Sequence, residues 1–146
     1  MRRDRSGAEH LQKIALFSAC TRKELELISA ATTELRFPAG ATLASEGQNG
    51  HEFMAIVDGT ARVDIGGRTV ATIGPGEFFG EVALLDGGPR TATVVAETDL
   101  VTEVIGQREF AGLVEDSPHL AKLLLVGLAR RLRAADVLLA GAPDDA

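Results

Sequence analysis

The chain has no tryptophan and no tyrosine, one cysteine and three histidines among its 146 residues. Without Trp or Tyr, the aromatic platforms on which single-stranded nucleic acids stack are missing. Cys20 has no second cysteine to pair with, so no intrachain disulfide can form and a reducing cytoplasm is the expected setting. His10, His51 and His119 fall far apart in sequence and in different elements, which argues against a metal site. No Ser/His/Asp or Cys/His arrangement suggests itself either, and no enzyme is expected. Apolar runs are too short to span a bilayer, and the charged stretch from Met1 to Gly7 is unlike a signal peptide. A net charge of −6 and a pI near 5.0 give little attraction for nucleic acid or an anionic membrane.

What is present is enough for one domain with a proper core and not for a second. Three parts are legible: a helical segment over residues 1–34, a β-rich core over 35–105 and a helical end over 106–146. Glu9 to Phe17 reads as a short amphipathic helix with Leu11, Ile14 and Ala15 on one side. Thr21 and Glu24 form a capping box for a second helix, whose apolar positions are Leu25, Ile28 and Ala31. From Leu35 to Val104 short extended runs alternate with glycine turns, which predicts a jelly roll or small barrel. The helical period returns after Gly106, with Phe110, Leu113 and Val114 on one face. Ser117 and Pro118 then open a long helix reaching about Leu139. Twelve arginines against three lysines, with abundant alanine, fit the codon supply of a GC-rich bacterial genome.

The densest stretch runs from Phe78 to Val94, FFGEVALLDGGPRTATV. Gly80 can take backbone angles closed to other residues, so the chain can turn sharply into Glu81 to Leu85 as one turn of helix. The first N–H groups of such a turn are unpartnered, and the positive end of its dipole favours an anion. Gly87, Gly88 and Pro89 reverse the chain into Thr91, Thr93 and Val95, and Arg90 stands where that strand begins. Its fork can bond two oxygens of the same anion, with the Thr91 hydroxyl beside it. A carboxylate at Glu81 makes sense beside a phosphate only if it accepts hydrogen bonds from ligand hydroxyls, as a ribose 2′-OH would supply.

This run closely resembles the phosphate-binding cassette of the cyclic nucleotide-binding domain, F-G-E-hydrophobic-A-L-L, a variable loop, then P-R-small-A-T-V. Phe37-Pro38-Ala39-Gly40, Glu46-Gly47, Phe53 and Asp58-Gly59 resemble the strands that precede the cassette in that family. The similarity covers about Leu11 to Ala135. It implies an eight-stranded jelly-roll barrel between N-terminal helices and C-terminal hinge and lid helices. It also implies that Glu81 binds the ribose 2′-OH and Arg90 the cyclic phosphate. Backbone N–H groups of Ala83 and Thr91 would complete the cradle, with Gly80 close to the sugar and Val82 and Ala92 alongside in the cassette. Val63 and Ala71, on earlier strands, are candidates for the base pocket. Thr91 resembles the residue of domains that prefer cGMP, yet a Ser or Thr hydroxyl bonds phosphate equally. The base stays open, with cAMP favoured.

In the long helix, Leu120, Leu124, Gly127, Arg131, Ala135 and Leu138 share one face at 100° per residue. Arg131 interrupts an apolar stripe, where a guanidinium without a partner would be costly. It is expected to reach the ligand base or phosphate as a lid residue. The reading is a stand-alone cytoplasmic sensor that binds cAMP, or cGMP, without any cofactor or metal. It would pass binding through its C-terminal helices to an effector protein. A homodimer through the long helix is expected. Only Gly141 to Ala146 follow that helix, too few for a helix-turn-helix, so neither nucleic acid nor membrane is expected as a partner. The rival is a scaffold or interaction module that needs no nucleotide, or a degenerate regulatory domain of a larger protein.

Overall fold

The computed structural model describes residues 11–14, 17–80 and 87–140, without the side chains of 131 and 135–140. Of the segment expected as a first helix, Leu11 and Gln12 are α-helical, and the regular helix does not continue through Lys13 and Ile14. Backbone hydrogen bonds run from Ile14 to Leu11 (3.0 Å), Phe17 to Ile14 (2.9 Å) and Cys20 to Phe17 (3.0 Å), three-residue steps rather than the four of an α-helix. At three residues per turn, Leu11, Ile14 and Phe17 stack on one side, and all three are buried. The remaining residues of that expected helix, Glu9, His10, Ala15 and Leu16, lie outside the described residues.

Helix α1 spans Arg22–Ala31 and opens on the expected capping box. The Glu24 N–H donates to Thr21 Oγ1 (3.1 Å), and the Thr21 N–H donates to Glu24 Oε1 (2.8 Å). Two otherwise unpartnered donors are thereby satisfied. Leu25 and Ile28 are buried and Ala31 is half-buried.

Eight strands follow among the described residues: β1 Thr33–Phe37, β2 Thr42–Ala44, β3 Glu52–Asp58, β4 Ala61–Ile65, β5 Arg68–Ile73, β6 Phe78–Phe79, β7 Thr93–Ala96 and β8 Leu100–Gly106. They form two four-stranded antiparallel sheets, ordered β1-β8-β3-β6 and β2-β7-β4-β5. The architecture is the expected jelly roll. One core cluster, with Ile56, Ala61, Ile73, Val94 and Leu100, fills the space between the sheets. A second lies between the first sheet and the helices and centres on Phe53. Its ring stacks on Phe78 (centroids 5.3 Å apart) and Phe110 (5.6 Å) and meets Phe17 at 6.1 Å. Because β3 is covered on both faces, Phe53 to Ile56 reads as a continuous apolar run rather than an alternating one.

After β8 the chain enters α2, Gln107–Asp116, and α3, Pro118–Ala140. Ser117 serves both: its N–H donates to Leu113 O (3.0 Å), and its hydroxyl accepts from the Leu120 N–H (3.2 Å). Phe110 is buried, and Leu113 and Val114 pack on the same cluster. Leu120 and Leu124 of α3 are buried as well, while Leu125 and Leu132 are 67% and 65% exposed. No helix among the described residues is long and apolar enough to cross a membrane.

Candidate functional site

Arg90 organises the site. The strand entry that carries it is zipped to the turn before β3: the Arg90 N–H donates to Gln48 O (2.8 Å), and the Gly47 N–H donates to Arg90 O (2.9 Å). Asn49 forms a β-bridge with Pro89, and the Glu46 N–H donates to Thr93 Oγ1 (2.9 Å). Residues 46–49 thus fix the backbone of a residue some forty positions away. Regular strand begins only at Thr93, so Arg90 precedes it across a bend at Thr91 and Ala92, later than the alternation of β-branched residues implied.

The side chain turns inward and is only 6% exposed, so Arg90 is no surface arginine. Its Nη2 donates to the carbonyl oxygen of Glu52 (2.9 Å) and lies 3.7 Å from the Glu52 carboxylate. Two glycines make room for it. A Cβ on Gly50 would overlap the Arg90 side chain, and one on Gly80 would overlap the Glu52 carbonyl and crowd the guanidinium. Gly80 also has φ +99°, a conformation that strains any L side chain. The left-handed backbone expected of Gly80 is present, and its missing side chain doubles as packing space for the arginine, while the turn into Glu81 lies outside the described residues.

The guanidinium borders a cleft of about 300 Å³ walled by Leu43, Ala44, Gln48, Asn49, Gly50 and Glu52. Ala44 and Leu43 connect that cleft to the apolar cluster between the sheets. The combination is a desolvated cation beside a mostly polar cleft, to which Thr42, Ser45, Gln48 and Asn49 also contribute. Val63 and Ala71 are direct cross-strand partners on β4 and β5. Val63 packs on the interior cluster, and Ala71 shares a face with Ile73, which belongs to it. Ala71 is nonetheless exposed, so this part of the inner wall stands open to water. Neither residue lines the cleft at Arg90. Thr91 is exposed and Ala92 half-buried beside it. Glu81, Val82 and Ala83 lie outside the described residues, as does the side chain of Arg131.

Gly50, Gln48 and Glu52 were not singled out from the sequence. Asn49-Gly50 reads as an ordinary turn dipeptide, and nothing local shows that its missing Cβ is filled by a distant arginine. Away from the site, His51 faces Gln107 (3.3 Å) and His119 faces Glu24 (2.8 Å). No three metal-ligating side chains come together among the described residues. Burial, reinforced by Glu24, pushes the Cys20 thiol up to about 11, which makes it a poor nucleophile at neutral pH.

Comparison with known proteins agrees with this geometry. Residues 34–117 match the family model of the cyclic nucleotide-binding domain. The cyclic AMP receptor protein of Thermus thermophilus is 34% identical over 127 residues, covering 84% of this chain and 59% of that protein. The crystal structure of the Thermus thermophilus catabolite activator protein superposes with a TM-score of 0.77 at 34% identity, covering 85% of this chain and 61% of that one. The regulatory subunit of a cAMP-independent protein kinase A from Trypanosoma brucei superposes with a TM-score of 0.79 at 25% identity, covering 90% and 46%. The chain therefore spans about three fifths of the two bacterial relatives and less of the trypanosomal one. With a family match over the whole barrel and the hinge helix, a buried arginine at the cassette exit and the two-sheet jelly roll around it, this chain belongs to the cyclic nucleotide-binding domain family.

Proposed function

We propose that this chain is a stand-alone cytoplasmic sensor that takes up cAMP, and that binding shifts α2 and α3. The observation that carries the reading is the buried guanidinium of Arg90 at the edge of a cleft lined in part by Leu43 and Ala44, which pack on the cluster between the sheets. Arg90 would take the exocyclic oxygens of the cyclic phosphate, with Gly80 close to the sugar and the Glu81 carboxylate on the ribose 2′-OH. The N–H groups of Ala83 and Thr91 would complete the cradle, with Val82 and Ala92 beside them. The exposed inner wall at Ala71, with Val63 opposite, suits the base, and Arg131 would close over it from α3. Thr91 leaves room for cGMP. Nothing in these roles requires bond making, in keeping with the regulatory names of the relatives.

Transmission has a physical route in the aromatic stack. Phe78 sits two residues before Gly80, and Phe110 sits on the hinge helix; both rest on Phe53. A ligand that pulls on the cassette therefore pulls on a ring shared with α2. Such a shift is limited to the ligand's difference in affinity for the two arrangements. The exposed Leu125 and Leu132, seven residues apart on α3, favour a homodimer through that helix. No nucleic-acid or membrane partner is proposed.

A second reading, an interaction module indifferent to nucleotide, is favoured by the likeness to a cAMP-independent regulatory subunit. Calorimetric titration with cAMP and with cGMP separates the two. Saturable heat with either supports the sensor and ranks the bases, whereas no heat with both supports the module.

A further inference from the structure

Arg90 does not face its cleft alone. Glu52, the first residue of β3, offers the guanidinium a backbone carbonyl at 2.9 Å and a carboxylate oxygen at 3.7 Å. The two contacts differ in kind. The carbonyl belongs to the strand and cannot leave, whereas the carboxylate sits beyond hydrogen-bond distance on a side chain 48% exposed. The same residue lines the cleft at Arg90 and the neighbouring cleft of about 660 Å³ beside Glu109. A buried cation calls for a nearby opposite charge, and a half-exposed carboxylate can swing to water.

We propose that the Glu52 carboxylate is a displaceable resident counter-ion of Arg90 that sets both affinity and charge selectivity at the phosphate site. This deepens the sensor reading and rests on it for the identity of the anion. In the ligand-free protein the carboxylate steadies the guanidinium. An incoming phosphate on Arg90 must compete with it, and a carboxylate that stays within a few ångströms repels the newcomer. A cyclic phosphodiester carries one negative charge and an open monophosphate close to two, so the repulsion weighs more on the open form. Glu52 then discriminates against hydrolysed nucleotide at a site whose arginine alone would favour the higher charge.

The test compares wild type and Glu52→Gln, which keeps the carbonyl contact and the side-chain shape. By calorimetry, Glu52→Gln is expected to bind cAMP about threefold to tenfold tighter, and to gain more than that for 5′-AMP. Unchanged or weaker cAMP binding, or an equal gain for both nucleotides, overturns the proposal. A ligand-free arm judges it separately: a urea-unfolding cycle of Glu52→Gln, Arg90→Met and the double variant, each single change removing one charge of the pair. The counter-ion predicts non-additivity of about threefold in the unfolding constant, and additive effects overturn it. If neither wild type nor Glu52→Gln takes up any nucleotide, the sensor reading fails, and with it the selectivity claim, while the cycle still decides whether Glu52 is the counter-ion of Arg90.

Discussion

The two sheets of the barrel are built from similar short strands and live in different surroundings. In the first, β3 and β8 lie between the interior cluster and the helices, and β3 is buried from Phe53 to Ile56. In the second, β5 is exposed from Arg68 to Thr72 and buried only at Ile73. The centre of the first sheet is a floor buried on both faces, with β1 left exposed at its edge. The second is a wall left partly bare, on its inner face at Ala71 as well as outside at Val70. Bare inner wall costs burial energy that a closed barrel would have gained.

Substitutions should separate floor from wall. The largest effect is expected at Phe53, which three other rings touch: Phe53→Ala should cost about 3–5 kcal/mol in chemical denaturation. On the wall, Val70→Ala should stay within about 0.5 kcal/mol. An equal loss at both positions would erase the contrast. The same contrast recurs along α3, where Leu124→Ala should cost about 2–4 kcal/mol and Leu125→Ala little in the monomer. A large loss at Leu125 that depends on protein concentration would instead place that side chain in an interface between copies.

A smaller effect concerns how the helices are tied to each other rather than to the floor. Glu24 completes the cap of α1 and also reaches α3: His119 Nδ1 lies 2.8 and 2.9 Å from its two oxygens, and the Ser117 hydroxyl is at 3.4 Å. A carboxylate only accepts, so Nδ1 carries the hydrogen. The Thr21 N–H, and after it His119, hold the Glu24 carboxyl below its ordinary value of 4.5. A depressed carboxyl stabilises the fold fully above its unfolded value and loses that contribution as pH falls through the folded one. Glu24→Gln should therefore cost about 1 kcal/mol at neutral pH and flatten the acid limb of the melting profile below about pH 4.5. An unchanged acid limb would mean that the carboxylate does not tie the helices.

Much of this was legible in the residues because it rests on local chemistry. The Thr21–Glu24 box, the Ser117-Pro118 start and the glycine turns each declare themselves within a few positions, and the barrel follows from their spacing. The cassette was readable for the same reason, with Gly80 turning and Arg90 at the exit. The first helix is present at Leu11 and Gln12, but the pattern carries it too far, because buried positions at Leu11, Ile14 and Phe17 fit a three-residue period nearly as well as a helical one. The partners of Arg90 were hidden for a different reason. Gly50 and Glu52 reach it only through pairing of residues 46–49 with the strand entry, a long-range register that no short pattern announces.

The central claim is that one buried arginine exists to hold a cyclic phosphate, and calorimetry on Arg90→Ala beside wild type addresses it most directly. The account predicts saturable uptake of cAMP by the wild type and a loss of about a hundredfold or more in the variant, with the variant still folded by circular dichroism. Equal affinity in the two proteins would contradict it, as would a wild type that takes up no cyclic nucleotide.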